Sequence, residues 1–206
     1  MYARSTTMRV RPEALDDLVT YVRDDVTPMV TQLEGSIGIS LLTDRDTGRC
    51  IVTSAWQTEE AMRDSAERIR GSREQAAERF GGTPEIHEWE IAVLHRTHQA
   101  GDGACARVTW TRTDAANLDQ VIHAYRDSLM PWWEETSGFC SNSLMVDRRE
   151  GRCASAVVFE SREAMAHTRD QFTTLREEFV ARMSMQIEEV AEFDLALAHL
   201  RVPETV

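Results

Sequence analysis

Leu15, Leu18, Val19, Val22, Val26, Met29, Val30 and Leu33 recur at steps of three and four residues, an apolar stripe that predicts a helix starting after Pro12 and stopping at Gly35. The segments on either side lack that period. Residues 2–11, 36–45 and 49–56 are rich in Thr, Val and Ile and read as strands, the last two joined by a turn at Asp46, Thr47 and Gly48. Thr58 caps a second helix with Glu59 and Glu60 in its first turn, where the helix dipole favours them. That helix runs to about Phe80 and breaks at Gly81 and Gly82. Residues 85–95 close the series as a strand with Trp89, Ile91 and Val93 on one face.

The second half repeats every step. Residues 105–113 are its first strand, and Leu118, Val121, Ile122, Tyr125, Leu129, Trp132 and Trp133 form its first helical stripe before Gly138. A hairpin turns at Arg149, Glu150 and Gly151. Ser161 caps the second helix, and residues 187–199 set Phe193, Leu195 and Leu197 where Trp89, Ile91 and Val93 stand. Sliding the chain by 103 residues gives 22 identities in 73 gapless positions, against roughly 4 expected by chance composition. The chain is therefore a tandem duplication.

Each copy reads β-α-β-β-α-β, the ferredoxin-like arrangement of four antiparallel strands with both helices on one face. The other face is left bare, and a strand carrying Ile37, Ile39, Leu41 and Leu42 is too apolar to remain so. At about 25 cal/mol per Å² of apolar burial, covering it with a matching sheet is favoured. The expected fold is α+β: two ferredoxin-like repeats, residues 1–95 and 105–200, joined by a polar, glycine-containing linker at 96–104 and forming an intramolecular dimeric α+β barrel.

Composition narrows the function classes. A net charge of −12 over 206 residues argues against nucleic acid and anionic membrane as partners. No apolar run reaches membrane-spanning length and the start shows no secretory pattern, so a cytoplasmic protein is expected. Cys50, Cys105, Cys140 and Cys153 have no metal-ligand spacing; they read as small buried hydrophobes in a reducing compartment, and no metal site is expected. Neither a Walker loop, a dinucleotide-binding glycine pattern nor a nucleophile elbow is present.

One constellation has a familiar form. Pro28 and Pro131 lie near the first helix ends, and Gly35 and Gly138 open the next strands. An aromatic strand end then meets a capped helix: Trp56, Thr58, Glu60, Ala61 and Met62 in one copy, Phe159, Ser161, Glu163, Ala164 and Met165 in the other. This resembles the antibiotic biosynthesis monooxygenase-like domain of the dimeric α+β barrel superfamily, over nearly the whole chain. The resemblance implies a small-molecule protein holding an apolar, aromatic or polyketide-like ligand, with oxidation by O₂ and no bound cofactor as the possible activity. It also leaves open a non-enzymatic ligand-binding or stress-related module, a haem-binding protein, and association into a homo-oligomer. The haem-degrading members use an Asn on the first strand and a His on the second helix. Neither first strand here has an Asn, and only His167, against Asp64 in the first copy, stands at a matching helix position.

The duplication sorts the candidate chemistry. Residues held in both copies serve what both need, the fold: Arg4 and Arg107, with Glu88 or Glu90 and Glu192 or Asp194 as cross-strand partners. Should those pairs face the barrel interior, they would also be an acid–base resource there. Polar or aromatic residues present in one copy only form the other class. Trp110 stands against Thr7, His123 against Thr20, Asn142 against Ile39 and His167 against Asp64, and Trp132-Trp133 replaces Met29-Val30. One reading has the second half keeping a working pocket in the barrel, with Arg107, Trp110, Asn142 and His167 binding the ligand, and Asn142 and His167 as catalytic groups, His167 the base. The plainer reading is drift after duplication.

Overall fold

The computed structural model of the chain describes residues 1–200, Leu200 by its backbone alone. The first repeat comprises β1 (Tyr2–Arg9), α1 (Leu15–Tyr21), a π-helical turn (Val22–Val26), α2 (Thr27–Thr31), β2 (Ser36–Asp44), β3 (Arg49–Trp56), α3 (Glu59–Asp64), α4 (Ala66–Phe80) and β4 (Glu85–Arg96). The second comprises β5 (Cys105–Arg112), α5 (Leu118–Ser128), α6 (Met130–Glu134), β6 (Phe139–Asp147), β7 (Arg152–Phe159), α7 (Arg162–His167), α8 (Arg169–Arg182) and β8 (Gln186–Leu200). The strand order β1-β3-β2-β8-β5-β7-β6-β4 closes on itself, an eight-stranded antiparallel barrel. No helix among the described residues is long and apolar enough to cross a membrane.

The expected intramolecular barrel is present, and its closure runs edge to edge through backbone hydrogen bonds. β2 pairs with β8 from Gly38↔Leu200 to Thr43↔Asp194, and β4 pairs with β6 from Glu90↔Val146 to Arg96↔Ser141. The compact units consequently divide inside the long strands, after Trp89 and after Phe193, rather than at residues 96–104. Glu85–Trp89 stays with the first unit. Glu90–Arg96 belongs with β6 of the second.

Each predicted long helix is broken once. Pro28 and Pro131 have no N–H to give the preceding turn, and the first helix of each copy changes geometry just before them. The second helix breaks after Asp64 and His167 for a different reason. The carbonyl of Met62 accepts from Arg4 Nη2 at 2.7 Å and from Ser65 Oγ at 2.6 Å. In the second unit, Met165 O accepts from Arg107 Nη2 at 3.0 Å and Thr168 Oγ1 at 2.8 Å. Side chains inserted at that carbonyl bend the helix. Thr58 and Ser161 cap α3 and α7 as predicted, accepting from Ala61 N and Ala164 N. Gly35 and Gly138 have φ of +73° and +76°, and a Cβ there would stand 2.6 and 2.5 Å from the Cβ of Ala61 and Ala164. Only glycine fits, which fixes how closely α3 and α7 follow the strands.

The two arginines held in both copies serve the fold. Arg4 pairs with Glu88 at 2.7 Å and Arg107 with Glu192 at 2.9 Å, and Glu90 goes instead to Arg148. Both arginines point toward their own unit's helices, so they are no acid–base resource on the opposite sheet face. All four cysteines are buried and outside any disulfide, and burial pushes the thiol of Cys50 up to about 12 and those of Cys140 and Cys153 up to about 11.

Candidate functional site

Strand alternation sets which residues of the second unit look toward its helices. On β5 these are Arg107, Thr109 and Thr111; Ala106, Val108 and Trp110 take the other face. The register places Val157 opposite Arg107 and Asn142 opposite Val157, so the three form one row across β5, β7 and β6. Thr109, Ser155 and Leu144 form the next row. Over them lie the stripes of α5, α6 and α8: Val121, Tyr125, Leu129, Trp133, Phe172 and Phe179. A cavity of about 40 Å³ remains between sheet and helices, with Tyr125, Trp133, Ser155, Phe172 and Arg176 in its wall.

A short hydrogen-bonded chain crosses this apolar layer. Asn142 Nδ2 donates to the phenolic oxygen of Tyr125 at 2.6 Å, and that oxygen lies 2.7 Å from Ser155 Oγ. Asn142 is only 1% exposed, yet its Oδ1 has no partner. Trp133 Nε1 is buried and unpartnered too. His95, the register partner of Asn142, stacks on Phe139 with centroids 6.3 Å apart, and Trp133 stacks on the same ring at 5.9 Å. His95 Nε2 lies 3.3 Å from Glu134 Oε1, outside hydrogen-bonding geometry. Buried polar atoms left unpaired are costly; Asn142 Oδ1 and Trp133 Nε1 are two such atoms in this region, and of the two Trp133 lines the cavity. Burial pushes the Tyr125 hydroxyl up to about 12, with the bonds to Ser155 and Asn142 opposing. At neutral pH it is a donor, not a base.

The first unit has the same cavity without the chain. Where the second unit has Tyr125, Trp133, Asn142 and Ser155, the first has Val22, Val30, Ile39 and Val52. Its cavity, about 50 Å³, is lined by those four with Arg73 and Ile69 among the others.

Of the residues singled out from sequence, the structure brings Arg107 and Asn142 into one row facing the helices. Trp110 lies on the opposite face of β5, edge-on to Phe193 at 6.4 Å, because three residues along a strand reverse the side. His167 ends α7 exposed to solvent, one turn after Glu163, and His123 is exposed on α5. Neither joins the Asn142–Tyr125 chain. The cavities lie on the helix-covered side of each sheet, whereas sequence reasoning placed the ligand on the other. It also passed over Tyr125 and Ser155. Tyr125 reads as core on the helical stripe, although comparison with Val22 carries the same signal that picked out Asn142, and Trp133, which replaces Val30, reads equally well as core filling. Arg73 and Arg176, identical between copies, were missed as well.

The profile of the family described as antibiotic biosynthesis monooxygenase matches residues 1–68. Two proteins of Mycobacterium tuberculosis, known only as uncharacterised, are 48% and 47% identical over the whole chain, which spans 92% and 88% of their lengths. The chain belongs to the antibiotic biosynthesis monooxygenase family. Solved structures of low identity share its fold. An anthrone oxidase-like protein superposes with a TM-score of 0.68 at 14% identity, covering 99% of this chain and 94% of its own. A haem-degrading enzyme of Listeria monocytogenes gives 0.56 at 10% identity, covering 95% and 99%. This family member thus shares its double-domain fold with proteins of different chemistry, and the fold does not choose among them.

Proposed function

We propose that the second unit binds a small aromatic molecule carrying a phenol or keto oxygen, and that the chain oxidises it with O₂ without a bound cofactor. The observation that supports this is the Asn142–Tyr125–Ser155 chain beside the unpaired Asn142 Oδ1 and Trp133 Nε1. An aromatic ligand would stack among Trp133, Phe172 and Phe179, its oxygen accepting from Trp133 Nε1 and a Tyr125 or Ser155 hydroxyl in a dry, rigid wall, donors that Asn142 Nδ2 helps to hold in place. Such donors stabilise an electron-rich, deprotonated ring system, the form that reacts with O₂. For a hydroxyanthrone the balance is simple: the ring CH₂ loses two hydrogens, one oxygen atom becomes the new C=O, and the other leaves as water. Arg176, with Nε buried and unpartnered, adds positive charge at the cavity wall.

One observation favours a second reading, ligand binding without turnover. His167 lies outside the chain of hydrogen bonds, and the Tyr125 hydroxyl stays protonated up to about 12, so proton removal would fall to the ligand's own acidity. The same exposure of His167 leaves the haem reading without a ligand directed at this cavity. Incubation of the purified chain with a hydroxyanthrone under air and under nitrogen separates the two. Oxygen uptake matched by quinone formation, lost in Asn142→Ile, supports catalysis. Saturable binding with no rate above the protein-free control leaves binding alone.

A further inference from the structure

At six positions the wall of the first unit's cavity is aliphatic where the second copy is aromatic or polar, although Thr6, Tyr21, Ser54 and Ser72 also line it. Val22, Val30, Ile39, Val52, Ile69 and Ala76 stand where Tyr125, Trp133, Asn142, Ser155, Phe172 and Phe179 stand in the other copy. One cationic group in that wall lacks a direct anionic partner, Glu74 and Glu88 acting on it only at longer range. Arg73, half-buried on α4, keeps Nη1 buried with no hydrogen-bond partner, and among the described residues no carboxylate reaches it within ion-pair distance. Burial, and next the charge of Arg4, push its pKa down, with the charges of Glu74 and Glu88 opposing in part. Arg4 itself is occupied, with Nε and Nη2 both on Glu88 Oε1.

The counterpart Arg176 is placed differently. Its guanidinium lies over the Phe172 ring, 5.4 Å from the centroid, which supplies an electron-rich face for the charge. Ile69, at the position of Phe172, offers Arg73 no such face. A guanidinium with no direct anionic partner, at the wall of a largely aliphatic chamber, is complementary to an alkyl tail with an anionic end. A single net charge and a planar fork favour a carboxylate. We propose that the first unit's cavity is a separate binding site for an aliphatic carboxylate, held by Arg73.

At about 50 Å³ the cavity holds a few water molecules at rest, so a tail enters as the covering helices part. Both covers are built to yield. The π-helical turn Val22–Val26 interrupts the first helix, and Gly71 sits exposed in the middle of α4 with nothing within 4 Å of where a Cβ would stand. Packing does not require that glycine, and it weakens the helix.

Calorimetric titration of the full chain with decanoate, and with decan-1-ol as the uncharged counterpart, tests the site. Saturable decanoate binding is expected, weakened about tenfold or more in Arg73→Gln, as loss of a charge-assisted hydrogen bond implies. Arg73→Lys should recover part of it, and decanol binding should be indifferent to either change. Arg176→Gln and Asn142→Ile should leave decanoate binding as it is, which keeps this result separate from that of the aromatic site. No saturable binding, no effect of Arg73→Gln, or an equal effect of Arg176→Gln overturns the proposal.

Discussion

Asn142 and Tyr125 meet at 2.6 Å across the layer between sheet and helices, and neither has a polar counterpart in the first copy, where Ile39 and Val22 occupy their positions. A buried amide tied to a buried phenol by one short bond, with its second polar atom unpaired, is an expensive arrangement for a core to keep. The aliphatic solution to the same packing problem stands in the same chain. Relief of that cost on ligand binding is the physical basis of the account.

Asn142→Ile converts the site to the first copy's residue. It removes an unpaired buried acceptor, whose cost is about 1–3 kcal/mol, against one lost hydrogen bond. The expected result is a variant as stable as the wild type or more stable by about 1 kcal/mol in urea unfolding, with aromatic ligand binding impaired.

Tyr125 gives the chain a signature at alkaline pH. Its hydroxyl has an ordinary value of 10.0 and is raised to about 12 by burial. Because the folded value is the higher one, the stability it contributes is whole below pH 10 and is lost as pH rises through 12. Tyrosinate absorbance should show a late step near pH 12 that Tyr125→Phe removes.

Arg107→Ala should destabilise the second unit by about 3 kcal/mol, since it strips the half-buried Glu192 of its buried partner and leaves Met165 O with one donor fewer. Arg107→Lys should not restore the loss in full. An ammonium cannot serve Glu192, Thr168 and Met165 with the fixed geometry of a guanidinium. Thermal unfolding of both variants checks this.

Gly71→Ala should stabilise the chain by about 0.5–1 kcal/mol, because the added methyl meets open space and α4 gains helix propensity. If α4 must yield for a ligand to enter the first cavity, the same change should slow decanoate association in stopped-flow measurements.

The fold was largely legible because its signals are local and doubled. Helical stripes, caps at Thr58 and Ser161, and the repeat itself each pointed to the same architecture. What escaped was set by long-range pairing. The closure of β2 on β8 and of β4 on β6 depends on strand edges, which leave no mark in residue pattern. The site was half legible. Comparison of the copies found Asn142, yet strand parity separates Trp110 from Arg107, and His167 turns outward at a helix end, facts that alignment alone does not carry. Tyr125 was hidden, and Trp133 was visible but ambiguous, because a stripe position explains an aromatic residue equally well as core.

The central claim is that Asn142 and Tyr125 form a ligand site. Its most direct test is equilibrium binding of a hydroxyanthrone under nitrogen, where oxidation cannot proceed, to the wild type, Asn142→Ile and Tyr125→Phe. Saturable binding to the wild type that falls about tenfold in each variant, with folding intact, is the predicted result. Equal affinity for all three proteins would contradict it.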